Sequence, residues 1–292
     1  MSFEQKPMVS RRSFVKLASA GLTAFCAAGS REWDLLGNTT AMTGKIPIAL
    51  QLYSVRNECE KDLSGTLNAV ARMGYQGVEF AGYYDRTAKE LRKMLDDLGL
   101  KCCGTHIGLD TLLGNNLPKT IEFNHTLGNR NLIVPGLPDE CTSSRKAWLD
   151  TAKTFNELAE KVKAQGMRVG YHNHTIEFKP MDGALPWDIF FGNTRKEVIM
   201  QFDTGNAMEG GGDPIPFLKR YPGRAITIHV KEYSAKDPKA LIGEGDIKWK
   251  DVFNLCETIG GTEWYIVEYE SDAYPPLQSV DLCLKNLRKM GK

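Results

Sequence analysis

Four apolar, β-rich runs in the second half of the chain turn polar only at their C-terminal ends: 169–177 (VGYHNHTIE), 198–203 (VIMQFD), 225–231 (AITIHVK) and 264–270 (WYIVEYE). A run with polar groups at one end suits a parallel strand buried along its length, with chemistry gathered at its mouth. The residues so placed are His172, His174, Glu177, Asp203, His229, Lys231, Glu268 and Glu270. All but one are able to hold a metal or move a proton, and Lys231 is able to neutralise a carboxylate.

The rest of the chain repeats the same alternation. Strands are expected at 46–53, with Gln51 and Tyr53 near its end, at 77–81 with Glu79 in its middle, at 101–107 carrying His106, and at 131–135. Strand five follows at 168–174. Helical patterns fall between the strands. Leu63, Leu67 and Val70 share one face of 62–73, which Gly74 stops. Thr87 and Glu90 stand at capping-box spacing ahead of 87–98, which Gly99 ends. Further helices are expected at 117–127, 143–165, 186–191, from Pro214 to about 221, at 249–259 and at 279–290. Alternating strands and helices argue for a parallel sheet with helical crossovers. Eight such units in a 292-residue chain favour a closed (β/α)8 barrel, an α/β fold in a single domain, whose active site lies at the C-terminal ends of the strands. No GxGxxG follows the first strand, which argues against a dinucleotide fold.

Net charge is +1, so nothing points to nucleic acid as a partner. Ser10-Arg11-Arg12-Ser13-Phe14-Val15-Lys16 precedes an apolar, Ala-rich run, 17–28, too short to span a bilayer as a stable helix. That arrangement reads as an export signal, and it resembles the twin-arginine pattern S-R-R-x-F-x-K. The expected division is a signal at 1–28, a linker at 29–44 and the barrel at 45–292, with the mature protein in the periplasm. Seven cysteines include no CxxC pair, so no zinc ribbon or redox motif follows.

Strand alternation places Gln201 and Asp203 on one face of strand six, Thr227, His229 and Lys231 on one face of strand seven, and Ile266, Glu268 and Glu270 on one face of strand eight. If these faces point inward, Asp203, His229 and Glu268 meet at the mouth. Two carboxylates and an imidazole form a mixed O/N site for one divalent cation, Mn²⁺, Zn²⁺, Co²⁺ or Mg²⁺. Strand five offers two competing fourth ligands, Glu177 and His172. Glu177 is taken as the ligand because a third carboxylate suits a hard or borderline cation. His172 and His174 are then left for substrate binding or proton transfer, and Lys231 for pairing with a carboxylate or stabilising an oxyanion. Gln51, Glu79, His106 and Asn206 are the expected substrate contacts. His125, on a helix, reads as an ordinary surface or packing residue.

Tyr171-His172-Asn173-His174-Thr175-Ile176-Glu177-Phe178, Phe202-Asp203-Thr204-Gly205-Asn206, Ile228-His229-Val230-Lys231-Glu232, Gly243-Glu244-Gly245-Asp246-Ile247 and Val267-Glu268 together resemble the xylose isomerase-like TIM-barrel superfamily. That superfamily takes in sugar isomerases and epimerases, inosose dehydratase-like proteins and endonuclease IV. The resemblance runs from the first strand to the last helix. It implies one metal held by Glu, Asp, His and Glu from strands five to eight, of which Asp203, His229 and Glu268 carry over directly. Where many members have a Glu within strand five, this chain has His172, which departs from the two-glutamate pattern of the ketose epimerases. The implied activity is a metal-dependent isomerase or epimerase acting on a non-phosphorylated sugar or keto-sugar through an enediolate. The alternative is a 3-keto-glycoside lyase or hydrolase, or an inosose-dehydratase-like lyase, using the same site. DNA repair is disfavoured by only five histidines, near-neutral charge and an export signal.

Overall fold

The computed structural model describes residues 45–292. The expected export signal and linker lie outside the described residues. Eight parallel strands close into a barrel in chain order: β1 (Ile48–Gln51), β2 (Gly77–Phe80), β3 (Lys101–His106), β4 (Asn131–Val134), β5 (Arg168–His172), β6 (Ile199–Asp203), β7 (Thr227–Val230) and β8 (Trp264–Val267). Closure is made by β1 against β8, with Ala49 opposite Ile266. Helices follow the strands and cover the outside, as the (β/α)8 reading requires.

Alternation along each strand divides the core in two. Leu50, Val78, Phe202, Ile228 and Val267 point outward and join the helices in one large apolar cluster. Ala49, Cys103 and Ile266 form a separate small cluster inside the barrel. Outside β5, Trp148 and Phe155 from the helix Arg145–Lys163 pack edge-on against Tyr171, with Phe190 beside them. Burying each such aromatic is worth about 1.5–3 kcal/mol. This layer fixes which face of β5 looks outward, and so which face His172 occupies.

Local signals place the helices well. Thr87 and Glu90 form the reciprocal capping box, and Gly99 ends that helix at φ +68. Ser144 caps Arg145–Lys163 by accepting from the Ala147 amide. The helix expected from residue 62 begins earlier, at Arg56, but it breaks at Asp62 (φ −155, ψ 87). Asp62 Oδ1 accepts from the Gly65 amide at 2.9 Å, so it caps the second segment. Three strands end sooner than their apolar patterns do. β5 stops at His172, β7 at Val230 and β8 at Val267, so His174, Lys231, Glu268 and Glu270 stand just past the last ladder bonds. An unexpected short helix, Thr204–Glu209, starts directly after β6 with Asp203 as its cap. The helix expected at 249–259 runs from Trp249 to Leu255 and then widens into a π turn, Cys256–Gly260.

One irregularity shapes the interior. The β2–β3 register slips between Val78, opposite Cys102, and Glu79, opposite Gly104. Bulges next to functional sites re-aim side chains. Here the slip sets Glu79 over Gly104, where a Cβ would come within 2.3 Å of Glu79 Oε1. The six cysteines among the described residues are free thiols. No helix among the described residues is long and apolar enough to cross a membrane.

Candidate metal centre

Consecutive staves deliver four donors to one place. His172 ends β5, Asp203 ends β6, His229 lies in β7 and Glu268 follows β8. One ligand atom from each lies within 4.8 Å of the others, and all four residues are buried. Asp203 is held by its backbone: Asn173 Oδ1 accepts from its amide at 2.8 Å, and Asn173 Nδ2 donates to its carbonyl at 3.0 Å. Its Oδ1 caps the short helix by accepting from the Asn206 amide at 2.7 Å. Its Oδ2 is buried and has no partner.

His229 has one engaged nitrogen and one free. Nε2 lies 2.6 Å from Glu79 Oε2. Nδ1 lies 2.8 Å from Glu268 Oε2 and 3.7 Å from Asp203 Oδ2, with a well-formed hydrogen bond to neither. Glu268 Oε1 accepts from Lys231 Nζ at 3.0 Å, and Lys231 also pairs with Glu270. His172 Nδ1 lies 3.1 Å from Gln201 Oε1.

The electrostatics keep Glu268 and Glu79 anionic and His172 neutral. Burial works to raise the Glu268 carboxyl, but Lys231 and His229 outweigh it and hold it well below the usual range. Burial likewise opposes ionisation of Glu79, and His106 and His229 overcome it. Burial, with His229 and His106 nearby, pushes His172 well below its ordinary value, so its ring is neutral. Burial disfavours charge on His229 too, but Glu79 and Glu268 raise it well above the ordinary imidazole value. The carboxylates that draw a proton onto His229 favour a divalent cation in the same place.

These residues fit a divalent ion. Two buried polar atoms without partners, Asp203 Oδ2 and His229 Nδ1, face one another, which is rare unless something else satisfies them. Two imidazoles and two carboxylates, with no thiolate, suit a borderline cation such as Zn²⁺, Co²⁺ or Mn²⁺. A cavity of about 410 Å³ opens above the group, lined by Tyr53, Ala81, Gly82, His106, Pro135, His172, His174, Glu268 and Glu270. A metal at one end of a roomy cleft describes a catalytic rather than a closed structural site.

The structure brings Asp203, His229 and Glu268 together and adds His172 as the fourth donor. It does not bring Glu177 there. Glu177 is buried, accepts from the Tyr171 hydroxyl, and accepts from the His174 amide at 3.0 Å. Tyr171 faces the outer helices, on the opposite face of β5 from His172, and Glu177 goes with it. Glu177 therefore pins the loop after β5. His106 and His174 line the cavity. Gln51 and Glu79 do not: both are fully buried beneath it, with Gln51 Nε2 donating to Glu79 Oε2 at 2.8 Å. Asn206 also lies off the cavity wall, its Nδ2 donating to the Asn173 carbonyl at 3.2 Å. Lys231 bridges Glu268 and Glu270 from behind. Sequence reasoning placed Gln201 on the inward face of strand six without giving it a task. Its amide joins His106, His172 and Glu79 in the interior.

Residues 67–290 match the family model of the xylose isomerase-like TIM barrel. Curated relatives include an inosose dehydratase of Klebsiella pneumoniae subsp. pneumoniae, 26% identical over 73% of this chain and 84% of the relative. Another is an inosose dehydratase of Clostridium tetani, 24% identical over the same shares. A sugar phosphate isomerase/epimerase from Parabacteroides distasonis superposes with a TM-score of 0.73 at 26% identity, covering 85% of this chain and 96% of that one. An L-ribulose 3-epimerase, 16% identical with a TM-score of 0.60 over 85% and 97% of the two chains, shares the fold. The chain belongs to the xylose isomerase-like TIM-barrel family.

Proposed function

We propose that the protein is a metal-dependent lyase. It removes a proton beside the carbonyl of a neutral keto-sugar or keto-polyol and releases a group from the next carbon. The observation that carries this reading is His172 in the strand-five position of the four-donor group. Glu268 and Glu270 both stand at the β8 end of the cavity, and the β5 end offers His172 and His174. The cavity thus has carboxylates on one side and imidazoles on the other, rather than two opposed glutamates. An imidazole is suited to take one proton and return it to a departing oxygen at neutral pH.

His172, Asp203, His229 and Glu268 would hold a divalent cation, which would supply Lewis-acid polarisation of the substrate carbonyl. The chain's own groups do the rest. His174, on the cavity wall, is the group we assign to proton transfer, worth about 10²–10⁴-fold. Lys231 keeps Glu268 ionised and fixes one of its oxygens, leaving the other facing His229. His106 and Tyr53 hold the ring of the substrate from the β1 and β3 sides. Among the described residues, no Lys or Arg lines the cavity. Phosphate recognition relies on such cations, so the substrate is taken to be unphosphorylated. The signal-like residues 10–16 support export, and an exported enzyme meets unphosphorylated sugars.

Isomerisation or epimerisation is the second reading, favoured by Glu268 and His174 standing at different strands. A proton removed on one side of the substrate could return on the other. One experiment separates the two. Protein loaded with Zn²⁺, Co²⁺ or Mn²⁺ is incubated in D₂O with inososes, 3-keto-glycosides and ketoses, and products are analysed by mass spectrometry. Loss of water or an aglycone supports the lyase. Deuterium uptake with all heavy atoms retained supports the isomerase. Neither change with any compound sinks both.

A further inference from the structure

Beneath the four donors lies a layer that the proposed chemistry does not use. Glu79 is fully buried near the centre of the barrel, and its carboxylate accepts from three side chains on three strands. Gln51 Nε2 lies 2.8 Å from Oε2, Gln201 Nε2 lies 2.8 Å from Oε1, and His229 Nε2 lies 2.6 Å from Oε2. His106 Nε2 stands 3.2 Å from Oε2 as well. A carboxylate this deeply buried needs such partners, and an ionised one can only accept.

The two amides in this layer have defined orientations. Gln51 Oε1 accepts from the Tyr53 amide at 3.0 Å, and a backbone N–H can only donate, so its Nε2 must face Glu79. Gln201 Nε2 donates to Glu79 Oε1 and, at 2.9 Å, to Thr227 Oγ1. Turning that amide over would set its oxygen against the carboxylate. Gln201 Oε1 is therefore directed at His106 Nε2, 2.7 Å away, and at His172 Nδ1, 3.1 Å away. An amide oxygen only accepts, so both rings must donate to it.

We infer that Glu79 and Gln201 are positioning residues that set which nitrogen of His106, His172 and His229 carries a proton. Glu79 holds the proton of His229 on Nε2 and leaves Nδ1 to bond the cation. Gln201 holds the proton of His172 on Nδ1 and that of His106 on Nε2. The two histidines of the metal group thus present opposite nitrogens, Nε2 from His172 and Nδ1 from His229. His106 presents an unprotonated Nδ1. Partners of this kind fix ring orientation and ligand basicity in metal sites. The inference rests on the metal reading above, but it concerns protonation patterns that exist with or without turnover.

The test is two-bond ¹H–¹⁵N correlation spectroscopy on histidine-labelled protein, combined with Zn²⁺ affinity from chelator competition. In metal-free wild type at alkaline pH, His172 should show the Nδ1–H form and His106 the Nε2–H form. Free imidazole favours Nε2–H, which makes the His172 signal diagnostic. With Zn²⁺ bound, His229 should keep its Nε2 proton. Glu79→Gln should release the His229 pattern and weaken Zn²⁺ binding about 10–100-fold. Gln201→Met should release the Nδ1–H pattern of His172, while His106 keeps its Nε2 proton beside Glu79 and the circular dichroism stays that of wild type. If one variant fails to fold, the other and the wild-type spectra still decide. An Nε2–H form at His172 in wild type overturns the inference, as do folded variants with unchanged spectra and Zn²⁺ affinity. Wild type that takes up no Zn²⁺ would end the metal reading alone; the metal-free spectra of His106 and His172 would still decide this one.

Discussion

His229 Nε2 lies 2.6 Å from Glu79 Oε2, across 150 residues of chain, and neither side chain has any exposed surface. β7 and β2 are not neighbours in the barrel wall, so this bond crosses its interior. Gln201 makes a second crossing, from β6 to the same carboxylate. Barrel interiors of this fold are commonly filled by branched apolar side chains. Here the layer under the cavity is a hydrogen-bonded polar network instead.

Removing a donor should uncouple the cation from the protein. Asp203→Ala and His229→Ala should each lower metal content and cut turnover by more than about 10²-fold. Wild type should gain thermal stability with added Zn²⁺, by about 2.7 kcal/mol at a hundredfold excess over Kd, and lose it on chelation. The Asp203→Ala protein should show no such gain. Calorimetry with metal analysis checks this; equal Zn²⁺ stabilisation of both proteins would count against the centre.

Gly104 should not tolerate a side chain. A Cβ there would sit 2.3 Å from Glu79 Oε1. Gly104→Ala must push the carboxylate away or bend β3, at a cost of about 1–3 kcal/mol. Because Glu79 holds His229, metal affinity should fall together with stability. Urea unfolding and Zn²⁺ titration of the variant measure the two effects.

Glu177 gives a prediction about pH. Burial raises its carboxyl, with the Tyr171 hydroxyl bond opposing that shift. The folded state therefore holds this proton more tightly than the unfolded chain, whose glutamates titrate near 4.3. Below both values the group contributes nothing to the pH dependence. As pH rises from about 4.3 toward the raised folded value, stability falls. Glu177→Gln keeps an acceptor for the His174 amide and removes the charge. Its stability relative to wild type should therefore be greater at pH 8 than at pH 4. Glu177→Leu strands both donors and should cost about 1–3 kcal/mol. Denaturation curves at the two pH values provide the check, and a Gln variant that gains nothing between pH 4 and 8 would refute the account.

Lys231 should matter more to the empty site than to the filled one. Its ammonium group pairs with both Glu268 and Glu270, and its side chain is only 15% exposed. Lys231→Met leaves Glu268 without that partner, which should destabilise the metal-free protein by about 3 kcal/mol. Added Zn²⁺ supplies positive charge at the same carboxylate, so the deficit should narrow in the loaded protein. Parallel melts with and without metal test this; an identical deficit in both would mean the lysine acts through packing.

Much of this architecture was written locally. Thr87 with Glu90, and Gly99 after them, set one helix without help from the rest of the fold. Apolar runs ending in polar residues placed Asp203, His229 and Glu268 at one mouth, because strand alternation and barrel closure leave few other arrangements. What the chain order could not supply was the choice between His172 and Glu177. Both follow the same strand, and only the packing of Tyr171 against Trp148, Phe155 and Phe190 decides which face looks inward. The roles of Glu79, Gln51 and Gln201 were equally hidden. Their contacts join positions 28 to 150 residues apart through the barrel interior, and such distances carry no periodic signal in a sequence. Local patterns follow from propensity and alternation, whereas the partners of a buried charge are fixed only when closure of the barrel brings distant strands face to face.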